Sequence, residues 1–206
     1  FILFLCLNVS VYAQQTLIFT QKDRWYREGI ELLQREKYSS ARHAFEKYLK
    51  EGEDRIKLAD AQYYIAYCGI KLNNRDGQGL VRQFIHEYPD HPKVALAYYE
   101  LGNIKYEEKK YKEAIRYYEQ IDLAQLGRES RDDAQFKWAY SYFSQQQFDK
   151  SLKLFNDLKR TENKYTHASN YYAGYIYFQK GLYDMAYTDF KRAEKNEYYA
   201  RIVPEL

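Results

Sequence analysis

A period near 36 residues constrains this chain more than any other feature. The stretch Leu101–Ile121, LGNIKYEEKKYKEAIRYYEQI, shares its layout with EGIELLQREKYSSARHAFEKY from Glu28, WAYSYFSQQQFDKSLKLFNDL from Trp138 and AGYIYFQKGLYDMAYTDFKRA from Ala173. A small residue holds the second place: Gly29, Gly102, Ala139 or Gly174. Further on come an aromatic (Tyr38, Tyr111, Phe148, Tyr183), a small residue (Ala41, Ala114, Ser151, Ala186) and a second ring (Phe45, Tyr118, Phe155, Phe190). The copies step by 73, 37 and 35 residues. The first step is two periods, so a weaker copy is expected between. A unit of this length cannot bury its apolar face alone and does so by stacking on its neighbours.

Each unit reads as helix, short turn, helix. In the third copy, Val94–Glu108 carries Ala95, Tyr98, Tyr99, Leu101, Gly102 and Tyr106 at helical spacing, and Tyr111–Ile121 carries Tyr111, Ala114, Ile115, Tyr118 and Ile121. The paired small residues mark a close helix crossing, with the second-helix rings filling the space around it. The repeats fall at about 22–55, 56–91, 92–128, 129–163 and 164–199, with 200–206 as the start of a sixth, truncated one. The second copy is blurred. Its small position is Ala66 or Cys68, its turn is Asn73–Gly77, and its second helix ends at Tyr88 before Pro89 and Pro92. The expected fold is all-α: a right-handed solenoid of about ten helices without a sheet.

Residues 1–13, FILFLCLNVSVYA, are uncharged, apolar and too short to span a bilayer. They read as a signal peptide lacking its start, cut after Ala13, with 14–21 as a short leader; a buried first helix is the other reading. Export would leave Cys68 as the one cysteine, a buried thiol on an apolar helix face. Lys and Arg alternate with Asp and Glu, and the net charge is only +3, which argues against a nucleic-acid binder. Tyrosine is abundant, with 25 in 206 residues.

With Gly or Ala, Tyr, Ala and Phe at these offsets, the chain resembles the tetratricopeptide repeat family over about residues 22–199; Trp25 and Tyr98 stand at the family's large position and Leu101-Gly102 at its Leu-Gly pair. Glu28 for Leu and Ser151 for Ala depart from the pattern. The segment FIHEYPDHPKVALAYYELGNIKYEEKKYKEAI resembles the linker and repeat of exported tetratricopeptide proteins of Gram-negative envelopes, among them the Tol–Pal coordinator and the β-barrel assembly lipoprotein. The Tyr-rich character is similar to that of periplasmic repeat proteins of Bacteroidota. The resemblance implies a periplasmic location, possible outer-membrane association, and protein partners.

No chemistry-bearing constellation is legible. His43, His86, His91 and His167 fall in different copies, with no metal-ligand spacing among them, and His86 and His91 read as exposed turn residues. Asp132 and Asp133 read as first-turn acids of a helix. No nucleophile, base and oxyanion donor assemble, so no enzyme activity, cofactor, metal or small-molecule substrate is expected.

In the resembled family, ligands meet the first helix of each pair. That implies Tyr26, Ile30 and Leu33 in copy one; Tyr99, Asn103 and Tyr106 in copy three; Phe136, Tyr140 and Phe143 in copy four; and Tyr171, Tyr175 and Phe178 in copy five. Tyr99, Tyr140 and Tyr175 form the candidate ladder. Rings with polar tips suit a partner peptide or helix, and packing against neighbouring helices is the competing role. The favoured function is a non-catalytic interaction scaffold of the envelope; a glycan-binding protein and a regulator of a cell-wall enzyme are the alternatives.

Overall fold

The structure, a computed structural model, describes residues 23–203. The expectations for residues 1–13 and 14–21, Cys6 included, lie outside the described residues. Among the described residues eleven α-helices and one 3₁₀ turn follow one another, and no strand occurs. Five antiparallel pairs account for ten of the helices: α1 Arg24–Gln34 with α2 Tyr38–Glu51, α3 Arg55–Lys71 with α4 Gly77–Glu87, α5 Val94–Glu107 with α6 Tyr111–Tyr118, α7 Arg128–Ser144 with α8 Phe148–Leu158, and α9 Thr166–Gln179 with α10 Tyr183–Ala193. The short α11, Glu197–Ala200, follows. The chain divides into two compact units between Ala97 and Tyr98.

One backbone device turns the chain inside every pair. Glu36, Asn73, Lys109, Gln146 and Gly181 all adopt positive φ, between 54° and 72°. The next residue's N–H reaches back to the carbonyl five positions earlier, as in Lys37 to Leu32, Asn74 to Gly69 and Leu182 to Tyr177. This is a left-handed helix stop that satisfies carbonyls at the helix end. The shared turn fixes the register of the second copy: its small residue is Ala66, fully buried. Cys68 is buried too, and burial pushes its thiol up to about 11.

The helix crossings explain the small residues. A Cβ on Gly29 would stand 2.7 Å from the Phe45 ring, one on Gly102 2.6 Å from Tyr118, and one on Gly174 2.9 Å from Phe190. Ala41, Ala114, Ala139 and Ala186 are fully buried, and the buried Ser151 hydroxyl donates to the Ala139 carbonyl at 2.9 Å. The second copy crosses differently. Its second helix starts late, at Gly77, whose Cβ would stand 2.7 Å from the Gly69 carbonyl carbon, so two glycine backbones meet there.

Three sequence expectations need correction. The second helix of the third copy ends at Tyr118, not Ile121. Ile121 is buried in the turn that follows, where Asp122 accepts from the Ala124 N–H at 3.0 Å and starts the 3₁₀ turn Leu123–Gln125. Asp133 lies in the second turn of α7, where Glu129 is the first-turn acid. His91 is not exposed: its ring sits 5.4 Å from Phe84 and its Nε2 3.5 Å from an Asp60 oxygen. Burial, with Lys93 adding to it against Asp60, lowers its pKa.

Candidate functional site

The first-helix rings divide into two rows. The row one turn before the small residue holds Tyr26, Tyr99, Phe136 and Tyr171. Three of these rings lie against the second-helix ring of their own pair: Tyr26 on Phe45 at 5.9 Å, Phe136 on Phe155 at 5.8 Å and Tyr171 on Phe190 at 6.1 Å. Two members of the row, Tyr26 and Tyr99, tie their repeat to the next. Tyr26 donates to Asp60 at 2.9 Å and Tyr99 to Asp133 at 2.8 Å, each across 34 residues. Burial and these carboxylates push both phenols well above their ordinary range.

Asp133 is a polar hub of unit two. Besides Tyr99 it accepts from the Tyr165 hydroxyl, and Lys137 lies 2.9 Å away. Burial works to raise its pKa, but hydrogen bonds from Tyr165, Lys137 and Tyr99 outweigh it and hold the carboxyl below its usual value. Unit one has a counterpart in Asp60, 2.7 Å from the Lys93 ammonium. Asp60, Tyr88, His91 and Lys93 also line an open cavity of about 580 Å³ with Ile56 at its edge. Asn103, expected on the binding face, has its side-chain oxygen engaged internally, by Tyr118 at 2.9 Å and Lys137 at 3.2 Å.

The second row lies after the small residue and differs between repeats. In α1 it is aliphatic, Ile30 and Leu33, both half-buried against the Phe45 core, whereas in α3 the half-buried Tyr67 follows Ala66 and lies 6.2 Å from Tyr38 and 6.1 Å from Tyr63. In unit two the rings touch in sequence. Tyr140 lies 5.7 Å from Tyr106 and from Tyr111, and 5.2 Å from Tyr172. Phe143 lies 5.0 Å from Tyr172 and 5.5 Å from Tyr175. Tyr140, Phe143 and Tyr172 stay half-buried, and Tyr175 is exposed. Phe178 pairs with Tyr183 of its own repeat at 5.6 Å. Tyr172 and Tyr165 were missed by sequence. Tyr172 joins five rings, and Tyr165 stacks on Phe136 at 4.4 Å. Both fall between the places that the family template singles out.

Among the described residues no three metal-ligating side chains cluster, and no helix is long and apolar enough to cross a membrane.

A five-fold helix–turn–helix repeat with glycine crossings is the architecture of tetratricopeptide proteins, and comparisons with known proteins agree. A tetratricopeptide repeat model matches residues 96–121 and 133–161. A model described as outer membrane lipoprotein, YfiO, matches residues 20–104. Among solved structures the chain is similar to MamA of AMB-1, at 19% identity over 90% of this chain and 98% of that one, with a TM-score of 0.65. It is similar to MamA of Desulfovibrio magneticus RS-1 at 16% identity, over 86% and 95%, with a TM-score of 0.63. MamA of MSR-1 gives 20% identity over 85% and 96%, with a TM-score of 0.61. At these identities the likeness is one of fold: an all-α tetratricopeptide-type repeat. No curated protein sequence matches significantly.

Proposed function

We propose that this chain is a non-catalytic interaction scaffold of the bacterial envelope, and that it holds a partner peptide or helix on the aromatic row of unit two. The observation that carries the reading is the row itself: Tyr140, Phe143, Tyr172 and Tyr175 touch one another while keeping accessible edges. Rings of this kind offer large contact area with few rotamers to freeze, and tyrosine hydroxyls can bond a peptide backbone. The outer-membrane lipoprotein model over residues 20–104 supports the envelope location and protein partners. Tyr26 and Tyr99 are better read as inter-repeat ties than as ligand contacts, because their hydroxyls are already engaged.

Aromatic platforms also stack on sugars, which keeps glycan binding as the second reading. Peptide libraries and glycan arrays probed with the parent chain and with Tyr140→Ala/Tyr175→Ala separate the two. The scaffold reading expects peptide hits that the double variant loses while its melting temperature falls less than that of a core variant such as Phe155→Ala. Glycan hits without peptide hits would overturn it.

A further inference from the structure

We propose that the open cavity of unit one is a binding site for an arginine side chain of a partner peptide, with Glu87 and Asp90 holding the guanidinium and Ile56 the stem. The site does not depend on the aromatic row of unit two.

Unit two shows what fills such a place. Asp60 and Asp133 hold the same position, each six residues before the small residue of its helix, Ala66 or Ala139. Lys93 and Tyr165 also correspond, each directly before the next first helix, α5 or α9. Tyr165 closes its site with a ring, which stacks on Phe136 at 4.4 Å while the hydroxyl donates to Asp133. Lys93 reaches Asp60 at 2.7 Å with a thin chain, its ammonium 5.2 Å from the Tyr64 ring. Beside this thinner side chain the cavity of about 580 Å³ stands open. Its inner oxygen, Asp60 Oδ1, is buried and makes no hydrogen bond beyond its ion pair with Lys93. A planar group that donates hydrogen bonds matches the piece that unit two supplies from its own chain.

Charge decides which planar donor fits. Asp60, Glu87 and Asp90 line the cavity against one ammonium, that of Lys93, and burial lowers the His91 pKa, which leaves its ring neutral at pH 7. The excess is negative, and the exposed Glu87 and Asp90 carry it. A guanidinium pairs with carboxylates through its planar fork, where a phenol or an acid does not. The remaining wall suits an aliphatic stem: Ile56 is 72% exposed, and Pro89 and Pro92 flank the opening. The wall is also fixed in advance. Gln62 donates to the Tyr88 hydroxyl at 2.9 Å, the Tyr88 ring lies 5.5 Å from Phe84, and the Lys93 N–H donates to His91 Nδ1 at 3.2 Å. Little side-chain freedom is lost when a ligand enters.

Calorimetric titration of the protein with acetylated, amidated Gly-Leu-Arg-Leu-Gly tests this, beside versions with citrulline, glutamate or tyrosine in place of the arginine. The arginine peptide should bind about tenfold tighter than the citrulline one, which keeps the shape and loses the charge. Added salt should narrow the difference. Glu87→Gln/Asp90→Asn should abolish the preference and Ile56→Ala should weaken binding severalfold, with melting temperatures near the parent's because all three side chains are exposed. Tyr140→Ala/Tyr175→Ala should leave the affinity unchanged, so the outcome is separate from that of the aromatic row. Equal binding of the arginine and citrulline peptides overturns the proposal, as does a preference for glutamate or tyrosine. Binding that the Tyr140→Ala/Tyr175→Ala variant loses, or no binding at millimolar peptide, overturns it too.

Discussion

In α1 of unit one, the small Gly29 is followed on its face by Ile30 and Leu33; in α7 of unit two, Ala139 is followed by Tyr140 and Phe143. The two helices share a template and differ in this row. In α1 this row is aliphatic, while Tyr67 opens it in α3, and unit one fastens its repeats with polar ties: Tyr26 to Asp60, Lys57 to Asp23 at 2.5 Å and Arg42 to Asp76 at 2.7 Å. Unit two has such ties too, at Asp133 and at Lys159–Asp189, and adds the aromatic row to them. The row also packs repeat against repeat, through Tyr140 on Tyr111 and Phe143 on Tyr172, and it still leaves ring edges and the exposed Tyr175 accessible.

The largest expected effect breaks what the units share. Asp133→Ala removes the acceptor of Tyr99 and Tyr165 and strands Lys137, and should cost about 3 kcal/mol by chemical denaturation. Because the folded carboxyl is held below its ordinary value, its contribution is present above the unfolded pKa. It is lost as pH falls through the lower folded one. The parent should therefore lose stability on acidification through that low range, and the variant should lose less. A flat difference between parent and variant across an acid titration would remove the hub from the account.

Overpacking comes next. Gly29→Leu in unit one and Gly102→Leu in unit two should each destabilise by about 1–3 kcal/mol, because the rings of Phe45 and Tyr118 already occupy the space. Gly79→Ala, where nothing stands within 4 Å of the added carbon, should instead stabilise α4 by up to about 1 kcal/mol. Thermal melts of the three variants check the crossing geometry in both units.

A smaller effect concerns the turns. Glu36→Gly, Lys109→Gly and Gln146→Gly should each stabilise by roughly 0.5–1 kcal/mol, since glycine adopts positive φ without steric cost. Asn73→Gly should gain less, because asparagine already tolerates that region. If the glycine variants melt below the parent, the shared turn has been misread.

These residues also show how much the sequence disclosed. The period, the crossing glycines and the pairing of helices were legible because the same letter classes recur at fixed offsets. The turn was not legible as a motif, because Glu, Asn, Lys, Gln and Gly share only a backbone conformation. Its absence from view is why the second copy seemed blurred between Ala66 and Cys68. The acceptors Asp60 and Asp133 were hidden because their partners lie a whole repeat away, and Asp133 was mistaken for a first-turn acid. Of the candidate site, Tyr140, Phe143 and Tyr175 were named from the family template. Tyr172 escaped because its neighbour Tyr171 held the template place, and only packing shows which of two adjacent rings joins the row.

The contrast between the units comes down to where a partner touches. A photoreactive phenylalanine analogue placed at Ile30, Tyr140 or Tyr175 in turn, in the natural host, reads this directly when the adducts are mapped by mass spectrometry. The account predicts that positions 140 and 175 crosslink to one segment of one envelope protein, and that position 30 does not. Equal crosslinking at position 30, or adducts at 140 and 175 that carry sugar and no peptide, would contradict it.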